Sequence, residues 1–154
     1  MLDLDTLVRF LLDAKCRTYA AQGDEATVSP LLPGTKQLEY RSGPLVYRDV
    51  YVGFAYFAGL EMVYDGDAPV WTMSYAGGVV DQRADARALY AFLRAALRQV
   101  EPQRPYRGPA RYVDDRWLYV NEVEGDVERF TGTETIALDG RRAYTLSYAG
   151  GLVR

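Results

Sequence analysis

The chain of 154 residues contains no histidine, and its single cysteine is Cys16. The first absence excludes metal sites ligated by histidine and every catalytic arrangement that uses an imidazole base. The second excludes a disulfide within the chain and the Cys-x-x-Cys motifs of metal and redox sites. Cys16 falls inside a helical pattern without a histidine partner, so we do not expect a catalytic thiol. We predict no metal and no other cofactor.

Long apolar runs and an excess of basic residues are also missing. No apolar segment approaches the roughly 20 residues that span a bilayer, and the start M-L-D-L-D is acidic where a signal peptide is basic. A net charge of −3 does not favour general affinity for nucleic acid. We therefore predict a cytoplasmic protein that binds neither membranes nor nucleic acid directly, and we leave a homodimer open.

What the chain does contain is a repeated segment. Residues 72–80 read T-M-S-Y-A-G-G-V-V and residues 145–153 read T-L-S-Y-A-G-G-L-V, at an offset of 73. Across positions 57–80, ten of 24 residues are identical at this offset. Internal similarity of this kind indicates repeated structural units. We predict a single domain, residues 1–154, made of two repeats at about 1–80 and 81–154.

The spacing of apolar residues predicts a helix over 3–21 and another over 83–100. Segments rich in Tyr, Val and Phe predict four strands after each helix. They lie near 37–41, 45–57, 60–64 and 69–76, and near 110–113, 117–123, 130–138 and 142–149. Only short links join these strands, so we expect antiparallel meanders. The predicted fold class is α+β: a helix plus a four-stranded antiparallel meander (αββββ) twice, with the helices packed on one sheet face.

The last hairpin of each predicted repeat has a register that the sequence suggests. Asp139-Gly140 is a strong signal for a two-residue turn, and strict pairing from it places Glu134 opposite Thr145. The offset of 73 places Glu61 opposite Thr72 in the same way. Alternation then assigns to the core face Leu60, Met62, Tyr64, Trp71, Met73 and Tyr75, with Thr133, Thr135, Ala137, Tyr144, Leu146 and Tyr148 in the second repeat.

On this register Glu61 and Glu134 occupy the opposite, half-solvated face of the sheet. Two equivalent carboxylates at a pseudo-two-fold cleft could bind a cation or act as acid and base. The alternative, which we favour, is that each is an outward residue or a structural partner of its neighbouring threonine.

Aromatic and polar side chains share the faces of two equivalent strands. The first set is Tyr47, Asp49 and Tyr51, and the second is Trp117, Tyr119 and Asn121. An aromatic wall with one acid and one amide could hold a planar or cationic ligand by stacking and cation–π attraction. The alternative is that these are core residues whose hydroxyl groups reach the surface.

Arginines mark two further segments. Arg104 and Arg107 lie in the proline-rich stretch 101–109, where they could receive a carboxylate or phosphate or could bind carboxylates of their own chain. Arg83, Arg87, Arg94 and Arg98 lie on the second predicted helix, and we expect a solvated face there.

Four motifs carry a family resemblance: Y-R-D-V-Y-V-G at 47–53, F-x-G-x-E at 57–61, P-V-W-T-M-S-Y-A-G-G at 69–78 and R-P-Y-R-G-P at 104–109. With them the chain resembles a bacterial family of domains of unknown function. Members of that family occur alone or behind a helix-turn-helix DNA-binding domain of the Cro/repressor type. The resemblance implies a sensor or interaction domain and supplies no catalytic residue.

These observations favour a non-catalytic small-molecule binding or sensing domain, with an aromatic and acidic cleft between the two repeats. The residues we expect at the ligand are Tyr47, Asp49, Glu61, Arg104, Arg107, Trp117, Tyr119, Asn121 and Glu134. One alternative is a small enzyme that uses Glu61 or Glu134 for acid–base chemistry. Another alternative is a protein-interaction module, which needs only a large exposed patch.

Overall fold

A computed structural model describes residues 2–20 and 26–153 and contains two α-helices. Helix α1 spans Leu4–Arg17, and helix α2 spans Ala86–Leu97. Asp3 caps α1 by accepting a hydrogen bond from the Thr6 backbone N–H, and Asp85 caps α2. Both helices are shorter than predicted, and residue 21, the predicted end of the first, lies outside the described residues, as do residues 22–25. Neither helix is long and apolar enough to cross a membrane.

Nine strands in the described residues form one antiparallel sheet. They are β1 (Thr27–Val28), β2 (Lys36–Ser42), β3 (Leu45–Gly53), β4 (Tyr56–Asp65), β5 (Ala68–Val79), β6 (Arg111–Asp114), β7 (Trp117–Asp126), β8 (Arg129–Leu138) and β9 (Arg141–Leu152). Their order in the sheet is β1-β2-β3-β4-β5-β9-β8-β7-β6. The central pair is β5 and β9, where Tyr75 lies opposite Tyr148.

The predicted fold class is wrong. The predicted αββββ unit built twice does not occur: the molecule is mostly one nine-stranded antiparallel sheet with two helices, and strands make up 53% and helices 18% of its structure. Five strands precede α2 and four follow it. The physical reason lies at β5 and β9, whose edges pair with each other and so satisfy their backbone groups within one continuous sheet. The division into two repeats stays a prediction.

The Asp139-Gly140 turn is confirmed, but the register beyond it differs from the prediction. Both turn residues have positive φ (50° and 76°), as a type I′ turn requires, and Leu138 lies opposite Arg141. The register then shifts between Ile136 and Ala137, so that Glu134 lies opposite Leu146 instead of Thr145. One extra residue in β9 therefore reverses the face on which the β8 side chains lie.

The hairpin of β4 and β5 contains the same irregularity. Its register shifts between Val63 and Tyr64, and Glu61 lies opposite Met73 instead of Thr72. The predicted solvated face for Glu61 and Glu134 is consequently wrong, because both carboxylates are fully buried. The predicted core side of Leu60 is wrong for the same reason, since that side chain is 39% exposed.

The core lies on the face that contains Trp71, Met73 and Tyr75, where these side chains are buried as predicted. Leu7 and Leu11 of α1 belong to the same buried cluster. Helix α2 contributes five residues to this cluster: Leu89, Phe92, Leu93, Ala96 and Leu97. This covered side of the sheet is also where the buried charges lie.

Candidate functional site

A buried ion pair joins helix α1 to strand β4. The Lys15 ammonium group donates a hydrogen bond to Glu61 Oε2, and both side chains are fully buried. Lys15 follows Leu7 and Leu11 at intervals of four residues, which places it on the apolar side of α1. Burial lowers the pKa of Lys15, and the Glu61 carboxylate opposes that shift. The ammonium group also lies 5.5 Å from the ring centre of Tyr19.

A second buried ion pair joins the loop after α2 to strand β8. Arg107 Nε donates to Glu134 Oε2 at 3.1 Å, and Arg107 Nη2 donates to Oε1 at 2.6 Å. Tyr119 and Tyr144 donate further hydrogen bonds to the same carboxylate, at 2.6 and 2.7 Å. Both oxygens of Glu134 are thus hydrogen-bonded twice, which compensates for the removal of the charges from water.

The strand next to each buried glutamate contributes a polar residue, and this residue differs between the two ion pairs. Asp49 on β3 lies opposite Glu61, and Asn121 on β7 lies opposite Glu134. Each accepts a tyrosine hydrogen bond of 2.6 Å, Asp49 from Tyr75 and Asn121 from Tyr148. We call Lys15, Tyr47, Asp49, Glu61 and Tyr75 the first cluster, and Arg107, Tyr119, Asn121, Glu134 and Tyr148 the second cluster.

The first cluster leaves polar atoms unused. Among residues 2–20 and 26–153, Tyr47 Oη and Glu61 Oε1 have no hydrogen-bond partner. In the second cluster, Tyr119 Oη accepts a hydrogen bond of 2.9 Å from the Gly108 N–H. Asn121 Nδ2 donates to the Gly108 carbonyl, also at 2.9 Å. The loop that contains Gly108 therefore covers the second cluster, and it provides no such bonds to the first.

Asp49 titrates near neutral pH. Burial and, after it, the nearby Glu61 carboxylate raise the pKa of Asp49 to about 7. The Tyr75 hydrogen bond and the charges of Lys15 and Arg107 act in the opposite direction. A carboxyl group of this kind is neutral below pH 7 and ionised above it, so small changes around it alter its charge.

Asp49 lies at the inner end of a pocket between α2 and the sheet, which we call the α2 pocket. Its volume is about 430 Å³. The lining residues are Tyr19, Lys36, Asp49, Tyr51, Gly53, Phe54, Phe57, Tyr75, Arg87, Tyr90, Leu93, Arg94, Leu97 and Arg107. Asp49, Tyr75 and Arg107 are buried and form the inner end, whereas Lys36, Arg87 and Arg94 are exposed and form the outer rim.

Aromatic rings form much of the wall of the α2 pocket. Tyr90 packs edge-on against Phe54 at 5.4 Å and against Phe57 at 6.0 Å between ring centres. Tyr90 also donates a hydrogen bond of 2.5 Å to the Phe54 carbonyl, which holds α2 against the turn between β3 and β4. Phe57 packs edge-on against Tyr75 at 6.0 Å. These contacts fix the rings and leave a preformed apolar wall beside the Asp49 carboxyl group.

A wider groove of about 910 Å³ involves β5, β7, β8 and β9. Its side chains include small hydroxyl groups such as Ser74, Thr133 and Ser147, with the exposed acids Glu122 and Glu124. None of the buried charges of the two clusters lines it. The smaller α2 pocket is therefore the better candidate site, because it combines apolar walls with a buried ionisable group.

The structure separates the residues that the sequence suggested for a site. Asp49 and Arg107 line the α2 pocket. Tyr47, Tyr119, Asn121, Glu61 and Glu134 are buried in the two clusters and do not line it.

The other two predicted residues lie elsewhere. Trp117 stacks on Phe92 of α2 with 5.6 Å between ring centres. Arg104 pairs with Glu101 at 3.4 Å. The local interactions of these residues account for their positions, and neither lines the α2 pocket.

Sequence reasoning missed Lys15 and the aromatic wall. Lys15 is one of only two lysines and continues an apolar helical stripe, a signal for a buried cation. Arg87 and Arg94 are exposed, as the sequence predicts, but they share one side of α2 with Tyr90 and Leu97, which line the pocket. Phe54 lies in a turn, where no periodicity indicates which element it will contact.

The fold and the site define a class of antiparallel-sheet domain with a buried ionic layer beside an aromatic pocket. The chain belongs to the family described as Domain of unknown function (DUF5680), whose profile matches residues 49–153. The match includes Asp49, Glu61, Arg107 and Glu134 and leaves out α1, and with it Lys15. No curated protein matches the chain, and no solved structure does.

Proposed function

We propose that this chain is a non-catalytic domain that binds a planar small molecule in the α2 pocket. The observation that carries this proposal is the pocket itself, which combines fixed aromatic rings with the buried Asp49 carboxyl group. Its volume of about 430 Å³ falls in the range of about 300–1,000 Å³ that is typical of ligand sites.

The chemistry of the wall supports a planar ligand over a flexible one. Phe54, Phe57 and Tyr90 present rings that are already held by contacts with each other, so binding orders few side chains. A flat ring gains contact area against such a wall at low conformational cost. Asp49 and Tyr75 would then orient the ring through its polar atoms.

Sensing is the use that the family resemblance supports. Related domains behind a DNA-binding module would report ligand occupancy to that module, and a bacterial, cytoplasmic setting would suit this role. The lining of the α2 pocket combines β3 to β5 with α2 and the loop after it, which supports assigning the proposed cleft between the two repeats to this pocket.

A binding experiment with matched variants tests the proposal. Native mass spectrometry of the purified protein would detect a retained ligand, and ligand-observed NMR with flat aromatic fragments would detect weaker binders. Phe54→Ala removes a ring from the wall and should weaken binding of every planar hit. Tyr56→Ala is the control, because this neighbouring side chain is exposed and does not line the pocket. Hits that respond equally to both variants, or no hits at all, would refute the proposal.

A second candidate function, an enzyme, is favoured by one specific observation. The pKa of Asp49 is raised to about 7 inside an aromatic pocket, which suits a group that both accepts and donates protons. Glu61 and Glu134 fit that role less well, because each is held in an ion pair outside the pocket. Incubating a bound ligand with the parent protein and with Asp49→Asn would test it. A product formed only by the parent would support catalysis.

The third alternative, a protein-interaction module, concerns the uncovered face of the sheet. Tyr56 and Leu60 are exposed there. The same Tyr56→Ala variant therefore serves to test it, by comparing partner capture with that of the parent.

A further inference from the structure

The inner end of the α2 pocket contains a carboxyl group and the outer rim contains three cationic side chains, and this arrangement indicates the class of ligand. We propose that the pocket takes a planar heterocycle whose paired N–H groups bind the Asp49 carboxylate and whose anionic tail reaches Lys36, Arg87 and Arg94. The inference rests on the proposed function and adds the chemistry of the ligand to it.

The Asp49 carboxylate at the inner end of the α2 pocket favours a ligand with hydrogen-bond donors. Among residues 2–20 and 26–153, Asp49 is the one acidic residue that lines the pocket. Its Oδ1 accepts a hydrogen bond from Tyr75, and no described residue donates one to Oδ2. An ionised carboxylate only accepts hydrogen bonds and has room for about four. Two adjacent N–H groups on a flat ring match its two oxygens as an arginine side chain does.

The cationic side chains at the outer rim of the α2 pocket favour a ligand with an anionic group. Arg87 and Arg94 are seven residues apart on α2, so they lie two turns apart on the side of the helix that also carries Tyr90. Lys36 begins β2 and lines the same pocket. All three side chains are exposed, and in the part of the chain that the structure describes no acidic side chain accompanies them at the rim. A phosphate or carboxylate on the ligand would be attracted there.

The groups around Asp49 decide how binding depends on pH. Asp49 faces Lys15 of α1, Tyr19 just after α1, Tyr47 of β3, Glu61 of β4, Tyr75 of β5 and Arg107 of the loop after α2. Lys15 and Arg107 are each matched by a buried glutamate, so an ionised Asp49 adds an unmatched negative charge. Ligand N–H groups compensate for that charge, and binding therefore selects the ionised form.

The direction of the pH effect follows from this selection. Below pH 7 the ligand must displace a proton from Asp49, so the affinity should fall by up to about tenfold for each pH unit below 7. Above pH 7 the carboxyl group is already ionised, and its contribution becomes constant. Binding near pH 6 should therefore release close to one proton.

Guanosine 5′-monophosphate is a suitable probe, since its base presents a ring N–H beside an amino group and its phosphate is anionic. Inosine 5′-monophosphate lacks the amino group, and guanosine lacks the phosphate. Pterin-6-carboxylate offers the same donor edge from a different source and distinguishes a pterin from a nucleotide ligand. Titration calorimetry from pH 5.5 to 8.5, in buffers of different ionisation enthalpy, measures both affinity and proton release.

We expect guanosine 5′-monophosphate or pterin-6-carboxylate to bind the parent at least about tenfold more tightly than the analogue lacking its amino group or its anion. Asp49→Asn should abolish the preference for the amino group and the proton release attributable to residue 49. Any proton release from the ligand's own phosphate group should remain in this variant. The contribution of Asp49 is therefore the proton release of the parent minus that of Asp49→Asn.

The rim is tested by Arg87→Gln combined with Arg94→Gln. This variant should lose the preference for the phosphate. Arg83→Gln is the control and should retain the preference, because Arg83 is an exposed arginine just before α2 that does not line the pocket. Circular dichroism and thermal unfolding would show that each variant is folded.

The outcomes separate the inference from the proposed function. If flat fragments bind in a manner that depends on Phe54 but neither anionic heterocycle binds, the inference is wrong and the proposed function holds. Equal affinity for the guanine and inosine nucleotides, or unchanged binding by Asp49→Asn, would also overturn the inference. If no planar compound binds, the proposed function fails with it.

Discussion

The two clusters beneath the sheet contain similar residues but differ in how many of their polar atoms are hydrogen-bonded. We call the second cluster closed, because its polar atoms have partners, and the first cluster open. Each contains a buried cation, a glutamate, a tyrosine on the neighbouring strand and a second tyrosine that donates a 2.6 Å hydrogen bond. In the second cluster the loop that contains Arg107 and Gly108 supplies hydrogen-bond partners to Glu134, Tyr119 and the Asn121 amide group. In the first cluster two buried oxygens lack a partner within the described residues, and Asp49 lines a pocket.

This comparison teaches that one arrangement of residues can serve two purposes. A fully hydrogen-bonded ionic cluster contributes rigidity, because any movement would leave a buried charge unpaired. A cluster with unused acceptors and a carboxyl group of raised pKa can instead respond to a ligand or a proton. Asn121 in the closed cluster is neutral at all pH values, whereas Asp49 in the open cluster changes its charge.

The largest expected difference comes from removing the two glutamate charges. Glu134→Gln leaves Arg107 buried and charged, because a guanidinium group does not lose its proton, and should lower the free energy of unfolding by about 3–5 kcal/mol. Glu61→Gln should cost clearly less, since the pKa of Lys15 is already lowered and this side chain can become neutral. Denaturant unfolding at pH 7.5 measures both, and equal losses would contradict the comparison.

Asn121→Asp would place a titratable acid in the closed cluster. The new carboxylate would face the Gly108 carbonyl in place of the amide that donates to it, with the Glu134 carboxylate nearby. We expect a loss of about 2–4 kcal/mol at pH 8, because a buried acceptor loses its donor and a buried charge has no partner. The loss should diminish towards pH 4, where the acid is protonated. Unfolding curves at both pH values test this, and a pH-independent loss would show that charge is not the cause.

Asp49→Asn should stabilise the protein at high pH. The folded pKa of Asp49, about 7, lies above its ordinary value of about 4, so the folded state binds this proton more tightly than the unfolded state. The parent should therefore lose stability as the pH rises from about 4 to 7, with the full penalty present above 7. We expect the variant to be more stable by up to about 4 kcal/mol at pH 8 and equal to the parent near pH 4. Lower stability of the variant at pH 8 would contradict the prediction.

The smallest difference concerns the two tyrosines beside the glutamates. Tyr119→Phe removes the donor to Glu134 and the acceptor for Gly108, and should cost about 1–2 kcal/mol. Tyr47→Phe removes a buried hydroxyl without a partner in the described residues, and should be neutral or slightly stabilising. Thermal unfolding of this pair of variants compares them directly. A Tyr47→Phe variant as destabilised as Tyr119→Phe would show that the first cluster is closed as well.

Part of this site could be predicted from the sequence, because alternation along a strand is a local property. Tyr47 and Asp49 share a covered face, as do Tyr119 and Asn121, and Trp71 and Tyr75 are buried as expected. The positions of Glu61 and Glu134 could not be predicted in the same way. The bulge residues Val70 in β5 and Ala143 in β9 reverse which side chains of the paired strand face the core. Neither residue differs in type from an ordinary strand residue.

The sequence by itself determined the approximate positions of eight of the nine described strands, where the Asp139-Gly140 turn lies and which chemistry is unavailable to a chain without histidine. These features depend on the local preferences of a few neighbouring residues. Only the tertiary structure decided that β5 and β9 join the strands into one sheet, and that Lys15, Glu61 and Asp49 meet beneath it. The raised pKa of Asp49 follows from that meeting, because burial and a neighbouring charge are properties of the folded molecule and not of any segment of its sequence.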